Sequence, residues 1–476
     1  MHHSQNLTDS LSSSSLTLSS SLVSSNAPSS SSNKFISFGE QDIHNGCILK
    51  VSLNSESSSS GSNLDSYYYE QCSEHLKQGG LVAFPTETVY GLGANALDEK
   101  AVYSIFKAKK RPLTDPVIVH VLNVQEAKKY IVIEENSLYM KFYDYLAECF
   151  WPGPLTIVSK SNENIIPDCV TASTGYVGLR VPAHPVVRKL LEHCKLPISA
   201  PSANRFGHVS PTTASHVMED LGCYKKEEID GENVFRILIL ESSEQDGKHS
   251  ECSVGIESTV VKITAAEQPN VLKLEVLRRG GISVEQLRKC AQVFVERESK
   301  DSYKPEILIE TRQKTYSVKM NDTTAQIAPG QLITHYAPYV PAYILENVVT
   351  RTESSHSLKE NHTLVPIQET IIVDFGGKLQ HLSHICLVYK DLSKDGDIHV
   401  ARKNVFQVLR ECEKIESAQA ILLPNLLHVD IEHADSLFDR LFRAASGTFA
   451  CLIEEESGKY SLEIPSRSDA ATHPSH

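Results

Sequence analysis

The stretch LVAFPTETVYGLGANAL, residues 81 to 97, opens like a buried strand and then departs from one. Leu81 to Phe84 are apolar without alternation, as suits a strand enclosed on both faces. Pro, Thr, Glu, Thr, Val and Tyr follow, then two spaced glycines. A plain turn takes roughly four residues. This segment is longer and carries three hydroxyls, which points to a loop that holds a ligand.

The segment after the loop reads as a helix near 98–110. Asp98 is its expected N-cap, and Val102, Ile105 and Phe106 form the core stripe. Lys109 continues that stripe, so it is expected where the helix leaves the core and meets a cleft. Lys107, Lys110 and Arg111 crowd the same end before Pro112. Cations at a helix C-terminus each contribute only about 0.3–1 kcal/mol and repel one another. An anion explains the crowding better, since the chain as a whole carries a formal charge of −13.

Further along, PISAPSANRFGHVSPTTASH (197–216) combines small residues with Asn204, and Ser210 is the expected cap of a helix near 211–221. GIESTVVKI (255–263) places Glu257, Ser258 and Thr259 ahead of a strand. VLRRGGIS (277–283) sets Arg278 and Arg279 before a Gly-Gly turn, and Arg180 interrupts a strand pattern in GYVGLRVPAHP (175–185). One arginine in a strand is ordinarily a solvated edge residue. Several in one domain point to a shared anionic ligand.

Composition bounds the rest. The chain has 476 residues, 41% of them hydrophobic, with no apolar run long enough to span a membrane. Its eleven cysteines include no C-x-x-C pair, which reads as reduced thiols rather than a disulfide framework or zinc site. Residues 1–65 are Ser-rich, with SSSSLTLSSSLVSS and SESSSSGS, and are expected to be disordered. A transit peptide is the alternative, although the first arginine is Arg111. A strand within 36–53 is open. Strands and helices alternate over 66–298, giving an α/β catalytic domain. Residues 299–338 read as an interdomain linker, 339–464 as a smaller Rossmann-like α/β domain, and 465–476 as a disordered tail. The polar segment 222–252 reads as a surface insertion. Walker, G-x-S-x-G and G-x-G-x-x-G motifs are absent. A nucleotide reaction here would therefore rest on positioning and charge neutralisation.

Taken in order, PTETVYGLG (85–93), KKRPLTDPVIVH (109–120), FWPGPLT (150–156), RVPAHP (180–185), APSAN (200–204), ESTVV (257–261) and LRRG (277–280) resemble the YrdC-like L-threonylcarbamoyl-AMP synthases. HYAP (335–338) and HADSLFDRLFRAASG (433–447) resemble the linker and second domain of the long form of that family. The resemblance implies an open twisted mixed sheet around a deep, basic cleft. It implies that L-threonine, bicarbonate and ATP give threonylcarbamoyl-AMP and pyrophosphate. A separate transferase complex then uses the product to modify tRNA, and tRNA itself is at most weakly bound. By resemblance, Thr88, His120, Arg180, Ala200 and Ser258 hold threonine. Arg111, Asp115, Ser202, Asn204, Ser210, Arg278 and Tyr336 hold ATP, and Lys109 and Arg111 are catalytic. Mg²⁺ would ride mainly on the ATP phosphates, with no protein metal site. A cytoplasmic location is expected, with a mitochondrial fraction as the alternative. Departures from the family pattern are Lys110 in place of glycine, Arg279 in place of proline, and the non-basic Gln331, Leu332, Ile333 and Thr334. The rival readings are a double-stranded RNA-binding module and a carbamoyl-transfer enzyme of hydrogenase maturation.

Overall fold

The computed structural model describes residues 48–52, 61–134, 137–222, 237–243, 252–300, 303–311, 325–330, 335–351 and 362–465. Most of the Ser-rich segment, linker residues 331–334 and the tail beyond 465 lie outside them.

The elements run β1 (Ile48–Val51), α1 (Gly61–Lys77), β2 (Leu81–Phe84), β3 (Gly91–Asn95), α2 (Glu99–Lys109), β4 (Val119–His120), α3 (Val124–Lys128) and α4 (Leu138–Phe150). Next come β5 (Leu155–Lys160), α5 (Asp168–Thr171), β6 (Tyr176–Arg180), α6 (Pro185–Cys194), β7 (Ile198–Ser199) and α7 (Ala214–Leu221). Then follow β8 (Ile237–Ser242), β9 (Thr259–Ala265), β10 (Val271–Arg278), α8 (Val284–Glu298) and β11 (Glu306–Thr311). These strands form one 11-stranded sheet in the order β1-β8-β2-β3-β7-β4-β6-β5-β9-β10-β11, with parallel and antiparallel neighbours mixed.

Four expectations need correction. The glycines after the opening loop belong to β3, which pairs antiparallel with β2. Glycine is a poor strand former, but a Cβ on Gly93 would lie 2.6 Å from the Phe84 ring and 2.7 Å from Ile198. The sheet therefore closes there only without a side chain. The segment expected as a linker contributes β11, parallel to β10. The apolar run FRILIL (235–240) reads as a strand, and residues 237–242 are β8, packed between β1 and β2, so the expected insertion 222–252 is interrupted by a sheet strand. Order at the N-terminal side starts earlier than residue 66. Helix α1 begins at Gly61 and buries Tyr69, Cys72, Ser73 and Leu76, the i, i+3, i+4, i+7 stripe of an amphipathic helix.

The second sheet comprises β12 (Ala342–Arg351), β13 (His362–Pro366), β14 (Thr370–Asp374), β15 (Val388–Asp391), β16 (Ala420–Leu423), β17 (Phe449–Glu455) and β18 (Tyr460–Pro465), with α9 (Ile398–Cys412) and α10 (Ala434–Ala444). Its order is β13-β18-β17-β12-β16-β14-β15. Strands β17, β12, β16, β14 and β15 run parallel, and β13 and β18 close one side antiparallel. One apolar cluster joins Val405, Phe406 and Leu409 of α9 and Leu437 and Leu441 of α10 to Val89, Val209, Ile256 and Tyr336. The second domain's helices thus pack against the loops of the first.

Candidate active site

The loop between β2 and β3 is held from inside by one hydroxyl. Thr86 Oγ1 lies 2.7 Å from Thr88 Oγ1, donates to the Val89 carbonyl at 2.7 Å, and receives the Thr88 and Val89 amides. Outside bonds fix its position: the Tyr90 amide donates to Pro211 O, and Ala203 N donates to Tyr90 O. The hydroxyl loop and the APSAN loop are therefore one wall. That wall lines a hollow shared with residues from several distant segments.

Arg111, Arg180 and Arg278, from three separate segments, all line this hollow. Each is under one-tenth exposed and is aimed by bonds along one edge. Arg111 donates from Nε to Asp115 O at 3.0 Å and from Nη2 to Pro116 O at 2.7 Å, and pairs with the Asp115 carboxylate at 3.0 Å. Arg180, the last residue of β6, donates to Gly153 O at 3.2 Å and to Glu87 at 2.6 Å. Arg278 ends β10 beyond a register shift in the β9–β10 pairing, a device that re-aims a side chain. Its guanidinium donates to Ser258 O at 3.1 Å and Ser258 Oγ at 3.0 Å. An arginine inside a strand is thus no edge residue here.

The hollow favours anions. Burial lowers the pKa of Arg111 and of Arg278, a sign of charge held out of water. Burial and then Arg180 depress His120 to about 3. Burial and the nearby Arg443, Arg111 and Lys109 push His335 well below its ordinary value. Both histidines are neutral at physiological pH, so the positive field comes from the arginines. Neither ring nitrogen of His120 makes a well-formed hydrogen bond among the described residues. Burial would raise the Glu87 pKa, but Arg180 outweighs it and holds the carboxylate ionised.

Thr88, His120, Ala200, Ser202, Ser258 and Tyr336 also line the hollow. Four predicted residues do not. Lys109 is 1% exposed, and its ammonium donates to the carbonyls of Ser202, at 2.6 Å, and Asn204. It shapes the APSAN loop from behind, while Lys107 and Lys110 face solvent. Asp115 sits behind Arg111 as its counter-ion. Asn204 donates to Arg205 O and His208 O and accepts from Ser202 Oγ. Ser210 is not a cap: α7 starts at Ala214 under Thr213, and Ser210 Oγ donates to Glu257 at 2.6 Å. Within this segment the hydroxyl met a carboxylate that the sequence places 47 residues away.

Thr86, Glu257, Gly330 and His335 line the hollow and were not expected there. Thr86 and Glu257 lay in motifs already singled out. Gly330 and His335 flank the linker residues outside the described set. Tyr336, at φ +63°, is nearly fully buried. Among the described residues, no three His, Cys, Asp or Glu side chains are placed to hold a metal ion.

Two family models match the chain: one described as telomere recombination, over residues 74–280, and the threonylcarbamoyl-AMP synthase C-terminal domain, over 282–446. The threonylcarbamoyl-AMP synthase of Schizosaccharomyces pombe is 30% identical over 401 residues, covering 77% of this chain and 85% of the relative. The chain belongs to the threonylcarbamoyl-AMP synthase family. The family member of Pyrococcus abyssi is 38% identical over 275 residues, covering 57% of this chain and 66% of the relative. The crystal structure of P. abyssi Sua5 complexed with L-threonine superposes with a TM-score of 0.61 at 27% identity, covering 84% of this chain and 98% of that one. Both domains therefore belong to the two-domain form of this family, and threonylcarbamoyl-AMP synthesis, a nucleotidyl transfer, is the activity of the chain. Among the described residues, no helix is long and apolar enough to cross a membrane.

Proposed function

We propose that the hollow joins L-threonine, bicarbonate and ATP as follows. The threonine amine captures bicarbonate-derived CO2 as a carbamate. A carbamate oxygen then forms the bond to the α-phosphorus as the bond to the pyrophosphate leaving group breaks. Threonine occupies the side formed by Thr88, His120, Arg180, Ala200 and Ser258. ATP lies along Arg111, Ser202, Arg278 and Tyr336. The observation that carries this reading is the meeting of three arginines from distant segments with a hydroxyl loop around one hollow.

No protein nucleophile is required. Alignment of the carbamate with the α-phosphate supplies an entropic advantage. Fixed guanidinium groups stabilise charge on the phosphates without reorganising as the reaction proceeds. Neutral His120 can accept or donate a hydrogen bond at the threonine side without adding charge. The carboxylates beside the hollow, Glu87, Asp115 and Glu257, are each engaged by an arginine. Mg²⁺ would therefore be held by phosphate oxygens and water, as suits an ion that rarely uses an all-protein cage. Its charge would help neutralise the leaving pyrophosphate.

Threonylcarbamoyl-AMP would pass to a separate transferase complex acting on tRNA. The acidic chain itself would bind tRNA weakly at most, and would work in the cytoplasm. The test is pyrophosphate release from ATP. It should require both L-threonine and bicarbonate and stop when a chelator removes Mg²⁺. Release that ignores either threonine or bicarbonate would refute the assignment.

A further inference from the structure

Three buried arginines of the second domain grip loops and helix α7 of the first. Arg410 of α9 donates to both Asp220 oxygens, at 3.2 and 2.8 Å, and to Val209 O. Arg402 of α9 reaches the carbonyls of Gly280 and Gly281 at 3.4 and 3.3 Å. Arg440 of α10 is the one that touches a residue of the hollow. It is 0% exposed and donates from Nε to Glu257 Oε2 at 3.0 Å and from Nη1 to Arg279 O at 2.6 Å. Its guanidinium carbon lies 5.6 Å from the centre of the Tyr336 ring, and Asp439 is 3.2 Å from Nη1.

Both of its partners adjoin residues of the hollow. Glu257 precedes Ser258, and Arg279 follows Arg278. Ser258 and Arg278 are bonded to each other, and Ser258 Oγ lies 2.8 Å from Thr156 Oγ1. Little slack separates the two segments. A Cβ on Gly280 would lie 2.3 Å from Glu257 O and 2.4 Å from Ser258 C, and Gly281 N donates to Glu257 O at 3.0 Å. A shift of Arg440 must therefore move the serine hydroxyl and the cavity arginine together. A buried ion pair is a weak source of stability compared with apolar packing. The placement makes sense if geometry is what the pair supplies.

We propose that Arg440 is a positioning residue through which the second domain sets Ser258 and Arg278 against the substrates. This rests on the synthase reading. The test uses the full-length chain and Arg440→Lys, which keeps the charge but loses the planar fork that serves both partners. Arg410→Lys is the control, being equally buried but bonded away from the hollow. Arg440→Lys should weaken L-threonine binding in calorimetry, and raise KM for L-threonine in pyrophosphate release, by roughly 10- to 100-fold. Arg410→Lys should lower thermal stability and leave both constants near wild type. Should Arg440→Lys fail to fold, Glu257→Gln should reproduce the loss of threonine affinity in a folded protein. The proposal is overturned if folded Arg440→Lys binds threonine like wild type, or if its losses follow thermal stability as those of Arg410→Lys do. Calorimetry needs no turnover. A wild-type chain that binds threonine without releasing pyrophosphate would refute the synthase reading, while the comparison of affinities would still decide the role of Arg440.

Discussion

The arginines of the hollow and those of the domain interface are equally buried and differently employed. Arg111, Arg180 and Arg278 are bonded along one edge and line the hollow. Arg402, Arg410 and Arg440 are not among the residues that line this hollow, and they donate to carboxylates and carbonyls across the interface. Burial alone therefore does not mark a functional cation. What distinguishes the first set is its placement: three distant segments bring it around one hollow together with the Thr86–Thr88 hydroxyls.

Removing one arginine from each set tests whether the two are truly employed differently. Arg410→Met takes from buried Asp220 its two guanidinium bonds, leaving His208 as its charged partner, and should cost about 3 kcal/mol in denaturant unfolding. Activity per folded molecule should survive. Arg278→Ala should reverse that pattern. If Arg278 faces the phosphates as proposed, loss of its fixed charge should lower kcat about 10²–10³-fold in a pyrophosphate-release assay, with the melting temperature less affected than in Arg410→Met. If the two variants behaved alike, the distinction between the sets would fail.

pH sharpens the interface side. His208 lies 3.0 Å from Asp220 and 2.8 Å from Glu413 of the second domain, under the ring of Tyr339. Burial lowers its pKa, but the hydrogen bonds to Asp220 and Glu413 outweigh this and raise it above 6.5. A raised folded pKa gives stability that is full below about pH 6.5 and is lost as pH rises through the folded value. Wild type should therefore exceed His208→Asn in melting temperature by most near pH 6, with the gap narrowing toward pH 9. A gap that grows with pH would rule out the charged clasp.

The smallest expected effect is at Lys110, the departure from the family's glycine. Lys110 caps α2 at φ +54°, where a side chain is strained and glycine is not. Lys110→Gly should stabilise the chain by about 0.5–1 kcal/mol, read as a shift in the urea midpoint. Since Lys110 is exposed, KM for ATP should stay unchanged. A rise would return this lysine to the anion site.

Much of the hollow was legible because its chemistry is carried by unusual residues in short runs. Thr88 stands out in an apolar context, as do Arg180 in a strand and Arg278 before two glycines. Three further side chains do not line the hollow, for a shared reason. Lys109, Asn204 and Ser210 have side chains suited to phosphate, yet each meets a nearer protein partner once the chain folds. Sequence spacing does not show that competition. Helix α4 carries a local signal, with Ser137 as its cap and Phe142, Tyr143, Leu146 and Ala147 as its buried stripe. Strand β3 was hidden because its glycines are required by Phe84 and Ile198, which lie opposite.

By itself the sequence determined which groups are available: buried apolar runs that must pair as strands, hydroxyls in a long loop, and cations too numerous for helix ends in an acidic chain. Local patterning settles these, because periodicity and composition act over a few residues. Only the tertiary structure decided which cations face the hollow and which are consumed by carboxylates and carbonyls brought from far along the chain. That allocation depends on contacts such as Arg440 with Glu257, 183 residues apart, and no local pattern encodes a partner at that distance.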